Sequence, residues 1–391
     1  METSQRMRRL EKGVFSVLLD KKNELIKQGK SVIDLSVGTP NIPPTKAVLD
    51  AISEAARDPK NYIYAIKDLD DLRQTAADWY KDRYQVVLNP ETEVLAAFGT
   101  QEALTSAFMP IVNPGDLVIL PDPAYPAFIA GAAIADAEIY FLPQREENGY
   151  IMDLSEVPEE VARRAKVIVA SYPNNPTASV AGPEFYQELI AFAKKYDIFV
   201  FHDNAYSELA FDGVTCGSYL SYDGAKDVGV EFNSLSKTYG MAGARVGFCM
   251  GNAEYIAAFD TFKTNTNFGL FLPVQKGAVV ALTQDQACVK ETCMAYQARR
   301  DCIIDAFGAI GWPIKKTQGS MFVWAKCPQG HADSFAFAME LVEKAGVLVV
   351  PGVSFGATGE GHVRMALVAD PADIRLAAER IKQSGILDKK G

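Results

Sequence analysis

Histidine is scarce in this chain, and its scarcity narrows the possibilities before any motif is read. The three histidines, His202, His331 and His362, lie far apart, so a histidine-rich metal site is not expected. The six cysteines, at 216, 249, 288, 293, 302 and 327, form no CxxC pair. Reduced thiols in a cytoplasmic protein are the plain reading. No apolar run approaches the ~18 residues of a membrane span, and no apolar core of an export signal opens the chain, so neither is expected. Positive charge is also short: 39 Lys and Arg face 49 Asp and Glu, for a net charge of −10. Binding to a phosphate backbone needs concentrated Lys and Arg, so nucleic acid is not an expected partner. The one tight basic cluster near an end, Arg6, Arg8, Arg9 and Lys12, reads as a solvated helix start.

What is present is an ordinary globular composition, with 48% hydrophobic and 23% charged residues over 391 positions. That length exceeds one typical domain and buries a sizeable core without staples. Helical spacing marks 46–57 and 68–84, and then short apolar runs begin. They fall at 93–98, 117–120, 138–142, 167–170, 198–202 and 245–250. Helical stretches at 101–112, 124–135 and 183–196 separate several of them. Such alternation predicts an α/β fold: a large domain with a mainly parallel sheet covered by helices on both faces. The last third changes character. One long helix is expected over 273–307, followed by strands at 321–325, 347–350 and 362–367, with helices at 334–345 and at the end. A smaller α+β domain is the reading. The expected division is 45–280 for the large domain, with 1–44 and 281–391 forming the small one.

The chemistry concentrates around Lys237, in Ser234-Leu235-Ser236-Lys237-Thr238-Tyr239-Gly240, with Arg245 eight positions on. One amine, two hydroxyls and a guanidinium form the set a phosphorylated aldehyde requires: an amine to condense with the carbonyl and donors for the phosphate. Pyridoxal 5'-phosphate is therefore the expected cofactor. Four motifs fall just after predicted strands, where open α/β sheets bind ligands. Thr100 and Gln101 follow the first and open a helix whose free N–H groups suit a phosphate. Asn175 lies in Asn174-Asn175-Pro176-Thr177, which also reads as a plain turn. Asp203 follows the buried-looking run 198–202, and a carboxylate there needs a partner. Opposite a pyridine nitrogen at ~3 Å, with an effective dielectric of ~20, it gains on the order of 5 kcal/mol before desolvation. That corresponds to roughly three to four pK units and keeps the ring protonated. Tyr206 and Asn175 suit the cofactor's phenolic oxygen, and Tyr125 the ring face. Ser234, Ser236 and Arg245 suit its phosphate. Lys237 must lose its proton to condense, so burial or Arg245 must lower its pKa; freed, it can act as base and acid. Ser234-Leu235-Ser236-Lys237 also fits the acyl-transfer S-x-x-K pattern, but its companion elements are absent.

Together these residues resemble the class I/II aminotransferases of the pyridoxal-phosphate fold type I superfamily. The match rests on Asn175 in Asn-Pro-Thr, Asp203 and Tyr206 in Asp-x-Ala-Tyr, Ser-x-Ser-Lys and Arg245, ordered and spaced alike. The wording of 122–126 and 99–102 is similar to the subgroup of aspartate aminotransferase-like and LL-diaminopimelate aminotransferase-like enzymes. The resemblance implies a ping-pong transfer between an L-amino acid and a 2-oxo acid. It implies that Gly38, Asn175 and Arg364 hold the substrate α-carboxylate. It implies a homodimer in which a tyrosine, Tyr64 or Tyr62, reaches the neighbouring subunit's phosphate. Three departures stand out: no glycine follows Tyr64, Ala178 stands where glycine is usual, and Phe15 replaces a substrate-binding tyrosine of diaminopimelate enzymes. A carbon–sulfur β-lyase is the alternative with the same cofactor. A cofactor-sensing regulator is a third class, but no basic helix-turn-helix precedes the core.

Overall fold

The computed structural model describes residues 2–10 and 14–388, with the side chains at 5, 14 and 15 outside the described set. Lys12 and the Phe15 side chain therefore lie outside the described residues. Among the described residues the strands are β1 (Ile33–Asp34), β2 (Val94–Ala97), β3 (Leu117–Asp122), β4 (Glu138–Pro143), β5 (Ala165–Ser171) and β6 (Phe199–Asp203). Then come β7 (Gly229–Ser234), β8 (Gly247–Gly251), β9 (Phe322–Lys326), β10 (Val347–Leu348), β11 (Val350–Pro351) and β12 (His362–Ala366).

Strands β2 to β8 build a sheet in the order β2-β8-β7-β6-β5-β3-β4. Every pairing is parallel except those of β8, which runs against both neighbours. The pleat sends alternate residues to opposite faces. Val94, Ala96, Ile168, Ala170, Val200 and Phe248 enter one apolar core. Leu95, Ala97, Val167, Val169, Phe201 and Cys249 enter the other. Both faces are dry, which explains why these strands read as continuous apolar runs. Strand β7, implied by the placement of Lys237, was not among the apolar runs read from the sequence. Its Glu231 and Asn233 break the apolar run, yet all six residues are buried. Glu231 is satisfied internally: it accepts from the Tyr80 hydroxyl, the Ser218 hydroxyl and the Tyr219 N–H at 2.7–2.8 Å, and pairs with His202 at 2.9 Å.

Covering helices follow local signals. The helix Lys46–Arg57 is capped by Thr45, whose side chain accepts from the Val48 N–H. Pro183–Tyr196 opens on proline and ends at Asp197 in the left-handed region. The helix expected over 273–307 is instead two, Leu272–Thr283 and Ala287–Ala309. Gln284 is extended between them, and the Gln286 amide donates to the Gln284 carbonyl at 2.7 Å. Side-chain capping in the middle of a helix-favouring run is the physical reason for the break.

The expected strand 347–350 likewise divides. Val347–Leu348 pairs in parallel with β1, whereas Val350–Pro351 joins β12 and β9 in an antiparallel sheet. Ile33 and Leu35 share an apolar core with Phe322, Val347, Met365 and Ile374, so the N-terminal segment packs with the C-terminal elements.

Candidate active site

Parallel strands place all their carboxyl ends on one edge of the sheet. An antiparallel strand presents its beginning there instead. This brings Thr100 and Gln101 after β2, Tyr125 after β3, Asn175 after β5, Asp203 at the end of β6, Ser234 at the end of β7 and Arg245 just before β8 to the same edge. β4 and β5 flank β3 on opposite sides, and the divergence of their connections opens a crevice. A cavity of about 340 Å³ lies along this carboxyl edge of the sheet. It is lined by Thr100, Gln101, Tyr125, Asn175, Asp203, Tyr206, Ser234, Ser236, Lys237 and Arg245, and by Gly38 from the N-terminal segment.

Lys237 sits on the short helix Leu235–Thr238, which Ser234 caps by accepting from the Ser236 N–H at 3.2 Å. Its Nζ donates to the Gly38 carbonyl at 2.6 Å. Burial, with the positive fields of Arg364 and Arg245, pushes the amine down to about 8, against the opposing pull of Asp203. Asp203 is buried, and burial raises its carboxyl to about 6 despite the nearby His202. It accepts a long hydrogen bond, 3.3 Å, from the Ala205 N–H. Among the described residues no cation lies within ion-pair distance of it. Tyr125 is pushed up to about 12 by burial and by the Asp203 charge, and its hydroxyl donates to Gln101. Tyr206 is raised well above the ordinary tyrosine value, chiefly by burial.

Two glycines make room. Gly99 adopts a φ of +75°, and an added Cβ would meet the Arg245 guanidinium at 2.5 Å. At Gly38 an added Cβ would meet the Phe322 ring at 2.7 Å. Arg245 donates to the Ala242 carbonyl at 2.9 Å and the Phe98 carbonyl at 3.2 Å, holding its fork over the start of the helix Gly99–Ser106. Thr100 is not the cap of that helix, a role that falls to Phe98 without a side-chain bond. Arg364, fully buried, donates to Asn175 Oδ1 and to the Ser36 carbonyl, each at 2.8 Å.

The donor set fits pyridoxal phosphate. An amine of lowered basicity, an unpaired buried carboxylate and a hydroxyl–guanidinium cluster at a helix start converge on one cavity. The chain matches the family model for aminotransferase class I and II over residues 30–381. It belongs to the class I and II aminotransferases. This aminotransferase is 40% identical over 384 residues to the LL-diaminopimelate aminotransferase of Moorella thermoacetica, covering 98% of each chain. Against the LL-diaminopimelate aminotransferase of Dehalococcoides mccartyi it is 40% identical over 368 residues, 94% of this chain and 95% of that one. Apo BacF from Bacillus subtilis superposes with a TM-score of 0.96 at 35% identity over the whole of both chains. An aminotransferase from Staphylococcus aureus superposes at 0.91 with 32% identity, over 99% and 100% of the two chains. The enzyme uses pyridoxal phosphate to transfer amino groups. These findings favour transfer over carbon–sulfur lysis.

Tyr64 and Tyr62 stand away from this cavity. Both are exposed, at 80% and 64%. The Tyr62 hydroxyl donates to the Ala56 carbonyl at 2.9 Å, whereas the Tyr64 hydroxyl has no hydrogen bond among the described residues. Sequence reasoning missed Ser36, whose main-chain carbonyl holds Arg364, and Thr39 and Pro40, which line the cavity. A carbonyl carries no side-chain signature, so only the fold could reveal Ser36.

Proposed function

We propose that this chain moves amino groups between L-amino acids and 2-oxo acids by a ping-pong cycle, as a cytoplasmic homodimer. The observation that carries the site reading is the pairing, in one buried cavity, of an amine lowered to about 8 with a carboxylate raised to about 6. Residues 45–280 form the cofactor-binding unit in this reading, and 1–44 with 281–391 the smaller one. Lys237 anchors the cofactor. Ser234, Ser236, Arg245, Thr100 and the N–H groups opening the helix Gly99–Ser106 hold its phosphate. Gln101 orients Tyr125 through their hydrogen bond, and Tyr125 would pack on the ring face. Asn175 and Tyr206 would donate to its phenolic oxygen. Pyridoxal phosphate supplies the electron sink for charge developing at the substrate α-carbon. Asp203 provides the negative charge that keeps that sink acidic. Arg364, with Asn175 and the Gly38 segment, binds the α-carboxylate. Lys237 then takes the α-proton and returns it on the product side.

The homodimer is supported by an exposed apolar patch. Tyr62, Ile63, Tyr64 and Ile66 adjoin Phe268 and Phe271, all at least 40% exposed. Tyr64 contacts Phe268 at 5.7 Å between ring centroids, and Tyr62 contacts Phe271 at 5.2 Å. Contiguous aromatic surface of this kind marks an interface. Tyr64, whose hydroxyl has no hydrogen bond among the described residues, is the residue assigned to the neighbouring site. Replacing Tyr64 by Phe is expected to raise the cofactor dissociation constant about tenfold, the worth of one hydrogen bond to a charged group. Tyr62→Phe is expected to leave it unchanged, and equilibrium dialysis of both variants decides.

Substrate choice is tested by single-turnover spectroscopy with a panel of amino donors, including LL-diaminopimelate because relatives near 40% identity carry that name. A spectral change with amino donors and its reversal by 2-oxo acids are expected. Release of ammonia without a 2-oxo acceptor would overturn the transfer reading.

A further inference from the structure

The Arg364 guanidinium lies over two aromatic rings. Its carbon lies 4.1 Å from the centroid of Phe322 and 4.9 Å from that of Phe355. The register explains the first contact. Arg364 on β12 pairs with Trp324 on β9, and Phe322 is two residues along, on the same face of the sheet. Phe322 is buried and touches three parts of the site at once. Its ring edge fills the space a Cβ on Gly38 would need, and it meets Tyr206 edge-on at 5.6 Å. Phe355 is also fully buried, and its carbonyl accepts from the Ala124 N–H at 2.6 Å, beside Tyr125. Nothing in the carboxylate chemistry by itself calls for either ring.

We propose that Phe322 and Phe355 are positioning residues that hold the Arg364 fork in the plane needed for a bidentate grip on the substrate carboxylate. Aromatic faces attract a guanidinium, and the attraction strengthens where water is excluded. With its carbon over both rings, the guanidinium keeps its N–H donors for polar partners. Asn175 and the Ser36 carbonyl engage two of these. The fork therefore keeps its orientation without substrate, and binding need not order it. Burial already lowers the arginine to about 10, so the rings stabilise a cation that the site's dryness disfavours. Gly38 belongs to the same device: any side chain there would push Phe322 off the guanidinium.

This inference rests on the assignment of Arg364 to the α-carboxylate, and the test separates the two. The holoenzyme is compared with Phe322→Leu, Phe355→Leu, Phe322→Tyr and Arg364→Lys, using half-transamination of L-glutamate followed by absorbance. Each Leu variant is expected to raise the apparent dissociation constant for L-glutamate about tenfold. The limiting rate should change by less than about twofold, and cofactor content should hold. Phe322→Tyr, which keeps the ring, is expected to restore the parent value. Arg364→Lys is expected to raise the constant more than about 100-fold. If Arg364→Lys weakens binding and the Leu variants do not, the positioning role is overturned and the carboxylate assignment stands. If Arg364→Lys also leaves binding unchanged, the assignment itself fails. A loss confined to thermal stability or limiting rate overturns the positioning role too. Should Phe322→Leu fail to fold, Phe355→Leu decides alone.

Discussion

Lys237→Ala is expected to abolish both the visible absorbance of the cofactor's linkage to the chain and the adduct that borohydride fixes there, and to lower the half-transamination rate by at least ~10⁴-fold. Proton transfer by a positioned group is worth roughly 10²–10⁴, and this residue is also assigned the covalent anchor. The side chain is irreplaceable because of where it sits. A buried amine beside Arg245 and Arg364 releases its proton at about 8, whereas an exposed lysine holds it to about 10.4. The pH dependence follows with a definite sign. The rate at which apoenzyme captures the cofactor should rise about tenfold per pH unit below about 8, as the free base increases, and level off above it. A rate still climbing at pH 9.5 would show an ordinary lysine. A borohydride adduct persisting in the Ala variant would sink the anchor assignment.

Asp203→Asn is expected to act in opposite directions on activity and on stability. Activity should fall by about 10³-fold, because the amide cannot supply the charge worth roughly three to four pK units to the cofactor ring. The apoenzyme, by contrast, should become more stable at pH 7. Burial raises the carboxyl to about 6, so between about pH 4 and pH 6 the folded chain keeps a proton that the unfolded chain has released. Stability therefore declines as pH rises through that window and stays low above it. The difference is about 3 kcal/mol at one pK unit per ~1.36 kcal/mol. Denaturant unfolding of both apoenzymes at pH 4 and pH 7 checks it. The Asn variant should gain at pH 7 and little at pH 4. A parent apoenzyme that grows more stable from pH 4 to pH 7 relative to the variant would remove Asp203 from this role.

Much of the large sheet was legible because its strands are buried on both faces and its turns carry Pro, Gly and Asn. Strand β7 was not, since Glu231 and Asn233 look like solvent-facing residues until His202, Tyr80 and Ser218 are seen around them. The residues 273–307 read as one helix because nothing in their composition forbids it. The interruption comes from Gln286 bonding back to the Gln284 carbonyl, a local side-chain competition with the helix. The site was legible to the extent that its groups are chemically distinctive. Lys237, Asp203 and Arg245 announce themselves by charge beside small or apolar residues. Phe322 and Phe355 do not, because a phenylalanine in a strand reads as core.

The sequence by itself determined the order of the chemical groups, with Asn175 and the Asp203 carboxylate at the ends of apolar runs and the hydroxyls, amine and guanidinium gathered in one short stretch, since that depends on local pattern alone. Strand pairing determined the rest. The antiparallel entry of β8 puts Arg245 on the same edge as Asp203, and the β9–β12 register lays Phe322 across Arg364. Burial then moved two titrating groups toward neutrality. Those outcomes join residues more than 30 positions apart, and no local interaction encodes such distances.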